Sequence, residues 1–130
     1  MSFFARFVFL AFALSAGSAS RAATVCVGNS TQLHDALASI ATSTDALFII
    51  KLRTGQYADA NGSGHFVFTQ NHLNQIVDIS GGWSGANGTC SDKSFDPAAT
   101  VIVGASDFPA LRFDNGFTGT SGNSIYVHDL

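Results

Sequence analysis

The sequence contains no glutamate, so its nine acidic residues are all aspartate. Glutamate favours helix interiors, whereas aspartate, asparagine and glycine favour turns. Glycine adds 13 further turn-forming residues to the chain. This composition argues against a helical protein and predicts a mainly β fold with many turns.

Basic residues are also scarce. Four of them follow residue 22, against the nine aspartates: Lys51, Arg53, Lys93 and Arg112. A protein that binds nucleic acid needs a basic stripe to neutralise phosphates. The charge balance therefore predicts that nucleic acid is not a partner.

Long hydrophobic runs are absent except near the start of the chain. An apolar run extends from Phe7 to Ala16, broken only by Ser15, with Arg6 before it and small residues after it. This pattern is typical of a secretory signal peptide. The run is too short to span a bilayer, which takes about 20 residues of helix. An uncleaved membrane anchor is the alternative interpretation.

Small residues mark the predicted cleavage site. Ser20 and Ala22 fit the third and first positions before a cut at Ala23, and an earlier pair of small residues is a second fit. We therefore expect residues 1–22 to be a signal peptide and residues 23–130 to form one domain. The product is expected to be exported, to the periplasm, the cell surface or the medium, with no transmembrane helix in the mature chain.

The chain has only two cysteines, Cys26 and Cys90. In an oxidising compartment an even number of cysteines normally means pairing, which predicts one disulfide bond. The two thiols show no CxxC spacing and have no neighbouring histidine, so a metal-binding or catalytic role is not indicated.

A helix and a series of short strands follow. Apolar residues at helical spacing predict an amphipathic helix from Thr31 to Ala41, and Ala46 to Leu52 reads as a buried strand. Further apolar runs alternate with turn clusters at nearly even spacing. Strands at Ile49, Val77, Val101 and Ile125 form one predicted series, and Phe66 and Leu111 belong to a second.

This spacing predicts stacked coils that share one apolar interior, with the helix as a cap on the first coil. About three coils are expected. A small antiparallel sandwich is the competing structure, because it also has short strands and polar turns. The residues from Ile125 to Leu130 read as a strand in mid-course, so we expect the stack to be incomplete at its C-terminal end.

The order of these elements resembles secreted bacterial right-handed parallel β-helix proteins of the pectin-lyase-like fold. Their N-terminal ends commonly run helix, strand, Gly-x-Tyr, then a Gly-Gly-aromatic turn. Here these are the predicted helix and strand, Gly55-Gln56-Tyr57 and Gly81-Gly82-Trp83, followed by an Asp-Pro-x-x-Thr step that begins at Asp96. The resemblance implies a fold and not an activity, since the family includes polysaccharide lyases, hydrolases and adhesins.

No cluster of catalytic or metal-binding residues is visible. A lyase of this class would need converging aspartates on Ca²⁺ and a basic residue; the nearest candidates are Asp78, Asp114 and Arg112, without an Asp-x-Asp cluster. We therefore predict no catalytic residues, no metal site and no cofactor. The four histidines lack zinc-type spacing: His34, His65, His72 and His128.

Two aromatic residues are candidates for contact with a sugar. Trp83 and Tyr57 could stack on pyranose rings, although a Trp packed into its own turn is the structural alternative. The leading hypothesis is a non-enzymatic exported β-helix protein, with a polysaccharide or cell-surface glycan as partner. The alternative is a polysaccharide lyase or hydrolase whose catalytic coils follow residue 130.

Overall fold

The computed structural model describes residues 21–59, 63–115 and 122–130, and this part of the chain is mainly β. One α-helix and nine strands occur in it. In chain order they are β1 Ala22–Val27, α1 Ser30–Ile40, β2 Leu47–Arg53, β3 Gly55–Ala58, β4 Phe66–Gln70, β5 Ile76–Ser84, β6 Asp92–Lys93, β7 Thr100–Val103, β8 Leu111–Asn115 and β9 Ser124–His128.

The strands form three sheets in which neighbouring strands run parallel. The first sheet has the order β1-β2-β5-β9, the second pairs β3 with β7, and the third pairs β4 with β8. The short β6 adds antiparallel pairing at the end of β5. Starting from β2, the chain passes through the first, second and third sheets, repeats that order, and returns to the first sheet at β9.

Equivalent side chains stack from strand to strand because the pairing is in register. Val25, Ile50, Ile79 and Val127 form one such row in the first sheet. Ile50 and Ile79 are completely buried. In the third sheet Phe68 pairs with Phe113, whose ring meets it edge to face at 4.9 Å. The apolar interior is therefore built from alternate residues of three sheets.

The helix α1 packs against the interior beside β1, β3 and β4. Asn29 caps it by accepting a hydrogen bond from Gln32 N, and its apolar stripe, Leu33, Ala36, Leu37 and Ile40, is buried. These residues join the same core cluster as Phe66 and Phe68. The prediction of a helix from Thr31 to Ala41 is confirmed, with both ends shifted by one residue.

The strand pairing tests two further predictions: the series of strands that included Val101, and the antiparallel sandwich. Val101 does not belong to the series of Ile49 and Val77, because it lies in β7 and pairs with Gln56 of the second sheet. The predicted single series was wrong at this strand. The pairing of Phe66 with Leu111 is as expected. An antiparallel sandwich is contradicted, since the strands of all three sheets pair in parallel apart from the two-residue β6.

The Gly81-Gly82 pair forms an irregularity in β5 opposite β2, where Lys51 pairs with Ser80 but Arg53 pairs with Trp83. Gly82 has a φ of +75°, and a Cβ there would meet the backbone oxygen of Ser94. A Cβ at Gly81 would meet the backbone oxygen of Asp129. The glycines thus allow two other segments to lie directly against β5.

Candidate functional site

A group of charged and aromatic side chains lies on the outer surface of the first sheet. Alternate residues of β2 and β5 point into the core, so Lys51 and Asp78 project from the opposite face. His128 of β9 lies beside Ser80 in register and belongs to the same face. We refer to Lys51, Asp78, Trp83, Lys93 and the two residues His128 and Asp129 as the outer cluster.

The predicted disulfide between Cys26 and Cys90 is present at one edge of this surface. Cys26 lies on β1 and Cys90 lies in the segment between β5 and β6, so the bond ties that segment to the first strand. Cys26 pairs in register with Lys51. The disulfide consequently holds the residues around β6 against the side of the first sheet.

Trp83 lies within a cationic environment. Lys51 Nζ lies 3.9 Å from the centroid of its ring, and Lys93 Nζ lies 5.2 Å from the same centroid. Both distances are in the range of cation–π attraction. The indole Nε1 donates to Ser80 Oγ at 2.9 Å. The ring is half-buried at the sheet surface, and its orientation is held by these three contacts.

Tyr57 is not available to a ligand at the surface, which corrects its assignment as a possible sugar-stacking residue. Its side chain is 1% exposed. The hydroxyl lies 2.9 Å from Val27 O and 2.8 Å from Arg53 O, so it can donate to either carbonyl. Burial raises the pKa of Tyr57, partly opposed by the hydrogen bond to Arg53. Tyr57 therefore joins β1, β2 and β3 in the core.

His128 links two carboxylates of the outer cluster. Its Nδ1 lies 2.7 Å from Asp129 Oδ2, and its Nε2 lies 3.1 Å from Asp78 Oδ1. Lys93 Nζ also contacts Asp129 Oδ2, at 2.6 Å. Two hydrogen bonds lower the pKa of Asp129. The larger effect comes from Lys93 and the smaller one from His128.

This geometry leaves His128 engaged within the protein. Each of its two ring nitrogens lies within hydrogen-bond distance of a carboxylate oxygen. Lys93 is likewise engaged by Asp129 and the ring of Trp83. The network links β5 and β9 to the segment around β6.

The candidate lyase residues are not brought together. Asp78 lies on β5 in the first sheet, whereas Arg112 and Asp114 lie on β8 in the third sheet. Arg112 and Asp114 instead form their own ion pair, with Nε and Oδ1 3.0 Å apart. The three side chains therefore do not build one site.

The three remaining histidines lie in different parts of the fold. His34 is exposed on α1, His65 stacks on Phe108 with ring centroids 5.2 Å apart, and His72 lies between β4 and β5. Over the ranges that the structure describes, no group of three or more histidine, cysteine or acidic side chains is placed to hold a metal ion.

Sequence reasoning identified Trp83 but not the two lysines around it. Lys51 could have been found from the alternation in β2, because Ile50 and Leu52 on either side are core residues. The position of Lys93 follows from β6, which pairs antiparallel with the end of β5 and sets Lys93 opposite Trp83. Their contact with one ring is a tertiary feature.

No protein-family model matches the chain, and neither a curated protein nor a solved structure matches it. Within the described residues, no helix has the length and apolar character needed to cross a bilayer.

Proposed function

We propose that this chain forms the capped first turns of a parallel β-helix in an exported protein, with a structural and non-enzymatic role. The observation that carries the proposal is the repeated passage of the chain through three parallel sheets in the same order. Stacked turns of this kind bury a continuous interior that one turn cannot bury alone. The helix α1 supplies the covered first end.

The opposite end supports the same proposal. The side chains that face inward on the last strands are only half covered: Phe113 is 42% exposed and Val127 is 41% exposed. Their partners one turn earlier, Phe68 and Ile79, are buried. A surface of this type suits the addition of further strands.

A disulfide-trapping experiment tests the stacking of turns. Gln56 and Val101 are exposed register partners on β3 and β7, and neighbouring strands lie about 4.8 Å apart, within reach of a disulfide. The double variant Gln56→Cys with Val101→Cys should form a second intramolecular bond, detected by peptide mapping. Gln56→Cys with Val103→Cys is the matched control, displaced by two residues, and should not. A fold without this parallel pair leaves both variants unbridged, which would refute the proposal.

Export is part of the proposal and has its own test. Its support is the signal-peptide pattern of residues 1–22 together with a disulfide that requires an oxidising compartment. Cell fractionation should recover a product that begins at Ala23 outside the cytoplasm. A full-length cytoplasmic product with free thiols would contradict it.

Contact with a glycan at Trp83 is a second candidate function. Lys51 and Lys93 beside the ring favour an acidic polysaccharide over a neutral one. Trp83 is the single tryptophan of the chain, so its fluorescence reports on this position alone. Polygalacturonate should change the emission and a neutral glucan should not. Equal responses, or none, would count against this candidate.

The polysaccharide lyase or hydrolase alternative is tested on the same material. A lyase acting on polygalacturonate in the presence of Ca²⁺ produces an unsaturated product that absorbs in the ultraviolet, and a hydrolase releases reducing ends. We expect neither change from this chain, because the candidate residues lie on separate sheets. Activity that survives purification would overturn the non-enzymatic proposal.

A further inference from the structure

The segment between β5 and β6 carries the pair Asn87-Gly88 at the surface. Both residues have a left-handed backbone, with φ of +55° at Asn87 and +78° at Gly88. Asparagine tolerates this conformation and glycine adopts it without strain. The residues from 86 to 89 are all exposed. We propose that Asn87 is a site of spontaneous deamidation, and that the carboxylate formed there pairs with the guanidinium of Arg53.

Deamidation needs no enzyme and no co-reactant other than water. The backbone nitrogen of Gly88 attacks Cγ of Asn87 and forms a new C–N bond, while the bond from Cγ to Nδ2 breaks. Ammonia leaves with the proton of the Gly88 nitrogen, and a succinimide ring remains. Water then opens the ring at either carbonyl, which gives aspartate or isoaspartate. An amide is thereby exchanged for a carboxylate, and the chain gains one negative charge.

The surroundings of Asn87 allow this attack. Gly88 has no side chain to hinder its nitrogen, and a Cβ built there meets only Arg53 Nη1, at 3.9 Å, apart from its chain neighbours. The Asn87 side chain forms no hydrogen bond within the part of the chain that the structure describes, so it can rotate toward Gly88. The attack also requires rotation of the Asn87 backbone. Because no residue from 86 to 88 is buried, this rotation leaves the core packing intact.

Asn74 is a comparison within the same chain. It is exposed and has the same left-handed backbone, with φ of +59°. Its successor is Gln75, a buried residue whose backbone nitrogen donates to Asn123 Oδ1 at 3.0 Å. That nitrogen is engaged and its residue carries a side chain, so it is poorly placed to attack Asn74. The two asparagines therefore separate the effect of the following residue from the effects of exposure and backbone conformation.

Arg53 is suited to pair with the product of the reaction. Within the described ranges its guanidinium forms no ion pair with an acidic side chain. Its Nε is buried without a hydrogen-bond partner. A charge that is partly withdrawn from water without a counter-charge is costly, so a carboxylate beside it is stabilising. Because Arg53 Nη1 lies next to Gly88, a carboxylate at residue 87 is only one residue away.

Peptide mapping by mass spectrometry tests the site. The purified exported product, with its disulfide intact, is held at mildly alkaline pH in water labelled with heavy oxygen, and the peptides that contain Asn87 and Asn74 are compared over time. Deamidation should incorporate labelled oxygen at residue 87 several times faster than at residue 74. Asn87→Gln should remove this conversion, because attack on the longer side chain closes a less favourable ring. Conversion no faster at Asn87 than at Asn74 would overturn the assignment.

A double-mutant cycle tests the pairing with Arg53. Asn87→Asp supplies the aspartate product in uniform form. Its effect on Tm should be about 1–4 °C more favourable with Arg53 in place than in the background of Arg53→Gln, the size expected of a partly exposed ion pair. The matched control background is Arg112→Gln, which removes an exposed arginine already paired with Asp114 and should leave the effect of Asn87→Asp unchanged. An effect that is the same with and without Arg53 would overturn the pairing, whatever the rate of conversion.

Discussion

Replacement of Tyr57 by phenylalanine tests the buried junction between the first three strands. The change removes one hydroxyl and leaves the ring, which is 1% exposed, in the core. The hydroxyl is within hydrogen-bond distance of Val27 O and Arg53 O. Losing a buried hydrogen bond while its acceptor stays in place costs about 1–3 kcal/mol. Thr100 Oγ1 also donates to Arg53 O, at 3.4 Å, which keeps the expected loss toward the lower half of that range.

We therefore expect Tyr57→Phe to lower the free energy of unfolding by about 1.5 kcal/mol. For a domain of about 100 residues this corresponds to a fall in Tm of about 6 °C. Urea denaturation followed by circular dichroism measures the difference directly. Tyr126→Phe is the matched control, because Tyr126 is 55% exposed. If both variants lose the same small amount, the proposed role of the Tyr57 hydroxyl is wrong.

The same residue predicts how stability depends on pH at alkaline values. Burial raises the pKa of Tyr57 above its ordinary value of 10.0, so the folded protein favours the neutral phenol. The stabilisation is present below pH 10 and is lost as the pH rises through the raised native pKa, because the unfolded chain then releases the proton first. The difference in stability between the natural chain and Tyr57→Phe should therefore shrink above pH 10. A constant difference would contradict this account.

Three further changes follow from the first sheet. Gly82→Ala should cost at least about 1–2 kcal/mol, because φ is +75° and the added methyl meets a backbone oxygen. Gly28→Ala is the thermal-melt control, because a methyl there meets only the side chains of Arg53 and Gln32, at ordinary van der Waals distance. Cys26→Ser with Cys90→Ser should lower stability by about 4 kcal/mol on chain-entropy grounds, checked against the natural chain in urea. Asp129 has a lowered pKa, so its contribution to stability is present above the ordinary value of 3.8 and lost as the pH falls. Asp129→Asn should flatten the acid limb of the stability profile, and an unchanged limb would refute this.

Local patterns predicted the elements well. The apolar spacing around Leu33 and Leu37 predicted α1 because only one face of the helix reaches the core. The β-type runs predicted a mainly β structure and placed Phe66 and Leu111 in one series, and these two residues are register partners. Spacing failed at Val101, since two sheets separated by a short turn give strands at similar intervals and the sequence does not state which sheet a strand joins.

The candidate site was harder to predict than the fold. Trp83 lies one residue after Gly82 in β5 and Tyr57 lies two residues after Gly55 in β3, yet Trp83 is at the surface and Tyr57 is buried. Which face a residue takes depends on the pleat and on the irregularity at Gly81-Gly82, and a shift of one residue reverses it.

The sequence by itself determined the element types, the turn-rich β composition and the disulfide, because these depend on local propensity and on two cysteines that have only each other. Only the tertiary structure decided that Lys51 and Lys93 meet at Trp83, that His128 reaches Asp78, and that Arg112 and Asp114 lie on a different sheet from Asp78. The contacts of Lys51 with Trp83 and of His128 with Asp78 join residues far apart in the chain. They exist because parallel pairing sets β2, β5 and β9 side by side in a fixed register.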